Sequence, residues 1–366
     1  MKRSVYIILS VLAVSLCCAG CSENNSPEAE EKKQMTDQNK QISDQLSSNT
    51  GLESEEINSG DKLKVAASFY PMYDFATKIG GDKAEVTNMV PAGTEPHDWE
   101  PAATDIRELE SADVFVYNGA GMEHWVESVL ESLDNQKLTV VEAVKGLTLM
   151  EGTHDHEETA GDEETAGDEE TAGDEEAAAR EVSHDKDANK DDISYDPHVW
   201  LDPMNAKAEM ENIKNAFVAA DPKNQDYYEK NFETYAAEFI KLDQEYREEI
   251  AKTSGKDLIT AHEAFGYLCK AYGLNQVGIE GLMPDSEPDP SRMDEVIQFA
   301  KKHNVKTIFF EELVSPKVAK TIANEIGAKT EVLNPLEGLS DEELAAGADY
   351  FSVMRENLKK LDEALK

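Results

Sequence analysis

The chain has 366 residues, 40% of them hydrophobic, and a formal net charge of −41 from 76 acidic against 35 basic side chains. That balance excludes a nucleic-acid partner, because binding one needs a basic stripe, and its field favours cations. The charge is unevenly placed: residues 151–192 alone carry 18 acidic and 3 basic residues.

The chain opens on Lys2 and Arg3, followed by a run of apolar residues from Val5 to Leu16 broken only by single Ser and Tyr positions. This run is too short for a bilayer span of roughly 20 residues and fits the hydrophobic region of a secretory signal over residues 1–20. Ala19-Gly20-Cys21 follows, small residues before a cysteine, as in a bacterial lipobox. Cys21 is therefore the expected lipidation site, although Cys18 stands where a leucine is usual. Cys17 and Cys18 leave with the signal, so the mature chain keeps Cys269 as its one other cysteine and forms no intrachain disulfide. Cys269 lies in an apolar helical stretch and reads as a buried, inert thiol. Residues 21–62 are rich in Ser, Asn, Gln, Glu and Lys. They cannot bury enough surface to offset ordering entropy, and read as a lipid-anchored disordered tether.

From Leu63 strands and helices alternate. Leu63–Ser68, Ala84–Val90, Asp113–Tyr117 and Leu138–Val141 read as strands, with helical patterns over 73–79, 104–111 and 123–133. Such alternation argues for a parallel α/β sheet, here a lobe over 63–221. Within it, residues 157–174 repeat Glu-Glu-Thr-Ala-Gly-Asp three times. With no apolar content, the segment 151–192 has nothing to pack and reads as a disordered acidic loop.

Pro203–Ala219 looks helical, and 222–252 is a longer run with no glycine or internal proline. Its Tyr228, Phe232, Tyr235, Phe239 and Leu242 recur at helical spacing, and such a helix is about 45 Å long. A second alternation fills 253–366. Its strands are 257–260, 276–279, 305–310 and 330–333; its helices are 264–272, 291–303, 316–326 and 341–365, the last interrupted at Gly347. The expected fold is two parallel-sheet α/β lobes joined by one long backbone helix, with a ligand site in the cleft between them.

Three of the eight histidines share a context. His97 lies in Glu95-Pro96-His97-Asp98-Trp99-Glu100-Pro101 after a strand; His198 lies in Asp196-Pro197-His198-Val199-Trp200-Leu201-Asp202-Pro203 before a helix; His262 ends the strand Leu258–Thr260. Glu311 ends the strand Thr307–Phe310, with Glu312 as its near alternative. Ligands of open parallel sheets bind outside the carboxyl ends of the strands, so these residues, two from each lobe, point to one site between the lobes. Three imidazoles and a carboxylate suit tetrahedral Zn²⁺ rather than the oxygen-only shells of calcium or magnesium, and manganese is the weaker competitor for imidazole. His124 and His303 read as surface or helix-terminal residues. His154, His156 and His184 lie in the acidic loop as auxiliary, low-affinity metal positions.

The Pro-His-Asp-Trp-Glu-Pro, Asp-Pro-His-Val-Trp-Leu-Asp-Pro and Thr-Ala-His-Glu-Ala-Phe-Gly-Tyr stretches resemble the metal-binding motifs of the cluster A-I solute-binding proteins of ABC transporters, zinc-uptake branch. Phe309 to Ala319 and Leu333 to Leu339 are similar to it as well, and the likeness covers 63–366 outside the acidic loop. The resemblance implies zinc held by His97, His198 and His262, with Glu311 or water as fourth ligand. It also implies an extracytoplasmic, lipid-anchored monomer that captures Zn²⁺ for an ABC transporter permease and has no catalytic activity. A manganese-binding homologue and a zinc hydrolase are the alternative readings. Binding is expected to weaken as pH falls through about 6.5, because ligating imidazole must be neutral.

Overall fold

The computed structural model describes residues 62–152, 195–284 and 288–366. The expected signal peptide, Cys21, the tether, the acidic repeat and His154, His156 and His184 lie outside the described residues.

The first lobe runs β1 (Leu63–Ala67), α1 (Tyr70–Gly80), β2 (Ala84–Asn88), α2 (Ala103–Glu110), β3 (Val114–Tyr117), α3 (Val126–Ser132) and β4 (Thr139–Glu142). Its four strands are all parallel, in the order β2-β1-β3-β4. Two helices follow, α4 (Pro203–Ala220) and α5 (Gln225–Ile250). The second lobe runs β5 (Asp257–Thr260), α6 (Gly266–Tyr272), β6 (Asn275–Gly278), α7 (Pro290–His303), β7 (Thr307–Phe310), α8 (Lys317–Ile326) and β8 (Lys329–Val332). Its order, β6-β5-β7-β8, repeats that of the first. Two terminal helices, α9 (Asp341–Ala345) and α10 (Tyr350–Leu365), complete the chain. In each sheet the order reverses between the two central strands, and the crevice at such a switch point is where ligands sit.

Local chemistry explains where elements depart from the sequence pattern. Helix α1 begins at Tyr70, three residues earlier than expected, because Pro71 occupies the first turn, where its fixed φ and missing N–H cost nothing. Strand β7 begins two residues late: Asn304 adopts a left-handed φ of 57° and the N–H of Val305 donates to Ala300 O, so Val305 belongs to the end of α7. The terminal helix divides around Gly347, at φ 81°, and restarts at Asp349, whose carboxylate accepts the N–H of Ser352.

Helix α5 is about 39 Å long at 1.5 Å per residue and connects the lobes along one continuous core. Its Tyr228, Phe239, Leu242, Tyr246 and Ile250 are fully covered. Phe239 packs on Phe75 of α1 at 5.7 Å and on Phe351 of α10 at 4.8 Å between ring centroids. The start of α10 reaches into the first lobe: Tyr350 lies 5.1 Å from the Phe75 ring and donates to Trp200 O at 2.7 Å, and Asp349 pairs with Lys78 at 3.0 Å. Two helices therefore tie the lobes together, which opposes a wide hinge motion. Cys269 is buried in this core and its thiol is pushed up to about 12 by burial, as suits an inert cysteine.

One buried group is out of keeping with its surroundings. Glu209 of α4 is fully covered, and among the described residues neither carboxylate oxygen has a partner. Burial, with Glu123 and Asp202 nearby, holds its carboxyl well above the usual carboxylate range. A carboxyl raised on folding is harmless below its unfolded pKa and costs stability as pH rises through the folded value. Glu209→Gln is therefore expected to raise the thermal midpoint at pH 8, with the gain vanishing near pH 4. A gain independent of pH contradicts the assignment.

Candidate metal centre

Each histidine is fixed by its local backbone. The N–H of His97 donates to both carboxylate oxygens of Glu95, at 3.0 and 3.1 Å, within the connection from β2 to α2. Gly93 in this loop has a φ of 71° and donates to Leu339 O in the second lobe at 3.0 Å. The left-handed turn favours glycine and brings the two lobes' loops into register.

His198 precedes a single 3₁₀ turn, Val199–Leu201, after which Asp202 caps α4 by accepting the N–H of Met204 at 2.8 Å. Asp196 accepts the backbone N–H of His198 at 2.9 Å and lies 2.8 Å from its Nδ1 through the same oxygen. The other Asp196 oxygen approaches Gly266 so closely that a Cβ there would lie 2.6 Å away, so a larger residue at 266 would push the carboxylate from its place. Asn118, just past β3, donates to Pro197 O at 3.0 Å. His262 follows β5; Thr260 Oγ1 and Gln276 Nε2 donate to its carbonyl at 2.7 and 3.2 Å.

The three rings converge with their Nε2 atoms inward, on one oxygen of Glu337. Glu337 Oε1 lies 3.4 Å from His97 Nε2, 3.1 Å from His198 Nε2 and 3.2 Å from His262 Nε2. His198 Nε2 is 3.2 Å from His97 Nε2 and 3.4 Å from His262 Nε2. All four residues are buried, and among the described residues they form the one group of His, Cys, Asp and Glu whose donors gather closely enough for a metal ion. A regular tetrahedron with edges of this length has its centre about 1.9–2.1 Å from each vertex, the Zn–N and Zn–O distance.

The tautomers strengthen the case. Where Nδ1–H of His198 and His262 donates to Asp196 and Glu311, Nε2 carries a lone pair. The Nε2 atoms of His198 and His262 face each other at 3.4 Å, and two lone pairs at that distance repel unless a cation or proton lies between them. The charge distribution agrees. Burial pushes His97 down. For His198 burial also acts downward, but the neighbouring Asp196 and Glu337 carboxylates prevail and raise it. For His262 the same opposition ends well above the usual imidazole range, through the charges of Glu311 and Glu337. Burial works to raise Glu337, yet the charge of His262 and hydrogen bonds from the three imidazoles hold it well below the carboxylate range. These directions favour an ionised Glu337 and a protonated His262 in the metal-free cluster, a positive charge that a bound cation would replace.

The structure brings together His97, His198 and His262 of the predicted set, but not Glu311. Glu311 Oε1 lies 2.5 Å from His262 Nδ1, on the side of the ring away from the cluster. Glu312 is also turned away and accepts a hydrogen bond from Asn334 Nδ2. The carboxylate in the cluster, Glu337, comes from the loop after β8, five residues beyond the strand end, where strand-end reasoning does not look. This loop is tightly held. Asn334 N–H donates to Asn357 Oδ1 at 3.0 Å, Asn357 Nδ2 returns to Asn334 O at 2.7 Å, and Leu336 N–H donates to Asn334 Oδ1 at 2.7 Å. Trp200 Nε1–H donates to Pro335 O at 2.8 Å. These bonds hold Leu336 at a φ of 62°, a left-handed conformation unusual for a branched residue, and so aim Glu337 into the cleft. The sequence cue was the likeness of Leu333–Leu339, which contains Glu337, to the zinc-uptake branch.

His124 and His303 lie elsewhere. His124 Nε2 is 3.5 Å from Glu100 at the surface, and His303 Nδ1 is 2.9 Å from Asp257.

Comparison with known proteins places these features in context. The family model described as ZnuA, "Zinc-uptake complex component A periplasmic", matches residues 65–364. The high-affinity zinc uptake system protein ZnuA of Bacillus subtilis (strain 168) is 46% identical over 306 residues, covering 84% of this chain and 88% of that protein. The zinc-binding lipoprotein AdcA of Streptococcus pneumoniae (strain R6) is 37% identical over 302 residues; the match covers 82% of this chain but 56% of that protein's length. Among solved structures, the metal-dependent lipoprotein YcdH from Bacillus subtilis superimposes with a TM-score of 0.66 at 43% identity, covering 83% of this chain and 100% of that one. The Zn(II)-bound ZnuA-like domain of Streptococcus pneumoniae AdcA does so with a TM-score of 0.66 at 35% identity, covering 83% and 99%.

Proposed function

This chain belongs to the ZnuA family of zinc-uptake components, and on that premise we propose that it captures Zn²⁺ between its lobes through His97, His198, His262 and Glu337. The observation that carries the reading is the convergence of three Nε2 atoms and one carboxylate oxygen, with Glu337 Oε1 3.1–3.4 Å from each Nε2 and His198 Nε2 3.2–3.4 Å from the other two imidazoles. Three nitrogens and one oxygen favour zinc over manganese on donor softness and coordination number. Competition of equimolar zinc and manganese for the purified protein, read by metal analysis, is expected to leave zinc bound. Retention of manganese in preference would replace the metal while keeping the site.

We further propose that the captured ion passes to an ABC transporter permease on the extracytoplasmic face of the membrane, with the protein held there by a lipid on Cys21. The Lys2–Cys21 pattern supports the anchor, and a relative named as a lipoprotein agrees with it. Four protein donors complete a zinc tetrahedron, whereas hydrolytic zinc keeps one position open for water. Capture and release, rather than hydrolysis, is the activity this donor set supports. The histidines of the acidic loop are proposed as weak collectors: deletion of 154–192 is expected to leave the tight site intact and remove weak additional zinc.

The pH dependence follows from the proton that zinc must displace. A ligating imidazole must be neutral, and His262 holds its proton well above the ordinary histidine range in the metal-free site. Apparent zinc affinity is therefore expected to be already falling above pH 6.5, earlier than an unperturbed histidine implies, and to fall further toward pH 5. Calorimetry in buffers of different ionisation enthalpy should show at least one proton released per zinc at pH 7. No proton release contradicts the charge state described above.

A further inference from the structure

Glu311 is buried to 2% exposure, yet among the described residues its carboxylate has a single side-chain partner, the Nδ1 of His262 at 2.5 Å, and its other oxygen has none. A buried carboxylate left half unpaired costs stability. A residue needed only to fill this position could be a leucine or a glutamine. The geometry suits a different role. A carboxylate at Nδ1 admits one tautomer, with the proton on Nδ1 and the lone pair on Nε2, and it holds the ring plane in line with its own oxygen. It also strengthens Nε2 as a donor, because negative charge behind the ring supports charge transfer to a cation in front of it.

On the reading that His262 is a metal ligand, we propose that Glu311 is a positioning residue for that imidazole: it sets the strength of zinc binding without touching the ion. The strand supports this placement. Glu311 immediately follows β7, which pairs with β5 through Ile259 and Ile308, and His262 lies two residues past the end of β5. The two central strands of the second sheet therefore deliver the ring and its backing carboxylate side by side from the core. Asp196 stands in the same relation to His198 through a 2.8 Å contact, but from the same loop. No carboxylate contact is seen at Nδ1 of His97 among the described residues. At His262 the backing is long-range, supplied by a separate strand.

The test compares Glu311→Gln, Glu311→Ala and Glu337→Ala, using zinc competition with a chromophoric chelator and the visible spectrum of the protein loaded with cobalt(II). Glutamine keeps an acceptor for Nδ1–H but loses the charge; alanine loses both. Zinc affinity is expected to fall by about 10-fold or less for Glu311→Gln and by about 10–100-fold for Glu311→Ala, the usual scale for losing an outer-sphere partner. Both should retain the intense tetrahedral cobalt bands of the wild type, while Glu337→Ala should shift and weaken them. Zinc affinity unchanged in Glu311→Ala would overturn the proposal. So would a cobalt spectrum of Glu311→Ala altered in the manner of Glu337→Ala, which would make Glu311 a ligand. Failure of the underlying site reading looks different: zinc binding that survives His198→Ala would overturn the site itself, whatever the Glu311 variants do.

Discussion

His198→Ala is expected to lower zinc affinity by about 10²–10³-fold while the protein remains folded. The magnitude follows from sharing about 10–16 kcal/mol of zinc binding among four donors, which leaves about 2.5–4 kcal/mol for each. His198 is the ligand for which the expectation is sharpest. Its Nε2 is 3.1 Å from Glu337 and 3.2–3.4 Å from the other two imidazoles, so it has close contacts with every other donor of the cluster. The fold should survive because Asp196 keeps its acceptor role toward the backbone N–H of residue 198, and because removing one imidazole also relieves lone-pair crowding in the metal-free protein. Competition against a chelator of known affinity measures the loss, and circular dichroism checks the fold. Unchanged zinc affinity in a folded variant would refute the site.

Trp200→Ala is expected to damage both stability and binding. Trp200 is fully buried, packs edge-on against Phe69 at 5.1 Å and lies 5.4 Å from the His198 ring. Its Nε1–H bonds to Pro335 O, two residues before Glu337, and its carbonyl accepts the hydroxyl of Tyr350. One side chain therefore supports the His198 turn and the Glu337 loop at once. Truncating a buried tryptophan costs about 3–5 kcal/mol, read as a lowered denaturant midpoint at unchanged slope. Zinc affinity should fall too, since two of the four donors lose a common support. Trp200→Phe separates the contributions: it keeps much of the ring contact but leaves Pro335 O without its donor, a cost of about 1–3 kcal/mol. A Trp200→Ala protein with wild-type midpoint and wild-type zinc affinity would contradict this coupling.

Sequence pattern and structure agree where periodic burial decides the outcome. The parallel α/β lobes were legible because buried strands such as Val114–Tyr117 and Thr307–Phe310 are short apolar runs set between helical patterns. Helix α5 was legible because it combines helical spacing with an absence of breakers. The three histidines were legible because each lies in a short motif beside a strand or helix end, where ligand sites of such sheets form. The carboxylate was not. Glu311 satisfies the strand-end argument completely, yet the β5–β7 pairing sets it behind His262 rather than beside the other donors. Glu337 is aimed by a non-periodic turn, held by bonds between Asn334 and Asn357 and between Trp200 and Pro335, partners 23 and 135 residues apart in sequence. Long-range hydrogen bonding of that kind leaves no local signature. The separation also bears on function: the proposed fourth donor belongs to the loop tied through Asn334 and Asn357 to α10, the helix that links the second lobe back to the first.

Zinc is proposed to be held by His97, His198, His262 and Glu337, with Glu311 behind His262. Anomalous diffraction at the zinc edge, from crystals of the zinc-loaded protein, tests it most directly. One strong peak is expected in the cleft, about 2.0–2.2 Å from the three Nε2 atoms and from a Glu337 oxygen, with Glu311 still hydrogen-bonded to Nδ1 of His262. A peak coordinated by Glu311, or one lying away from the three imidazoles, would contradict it.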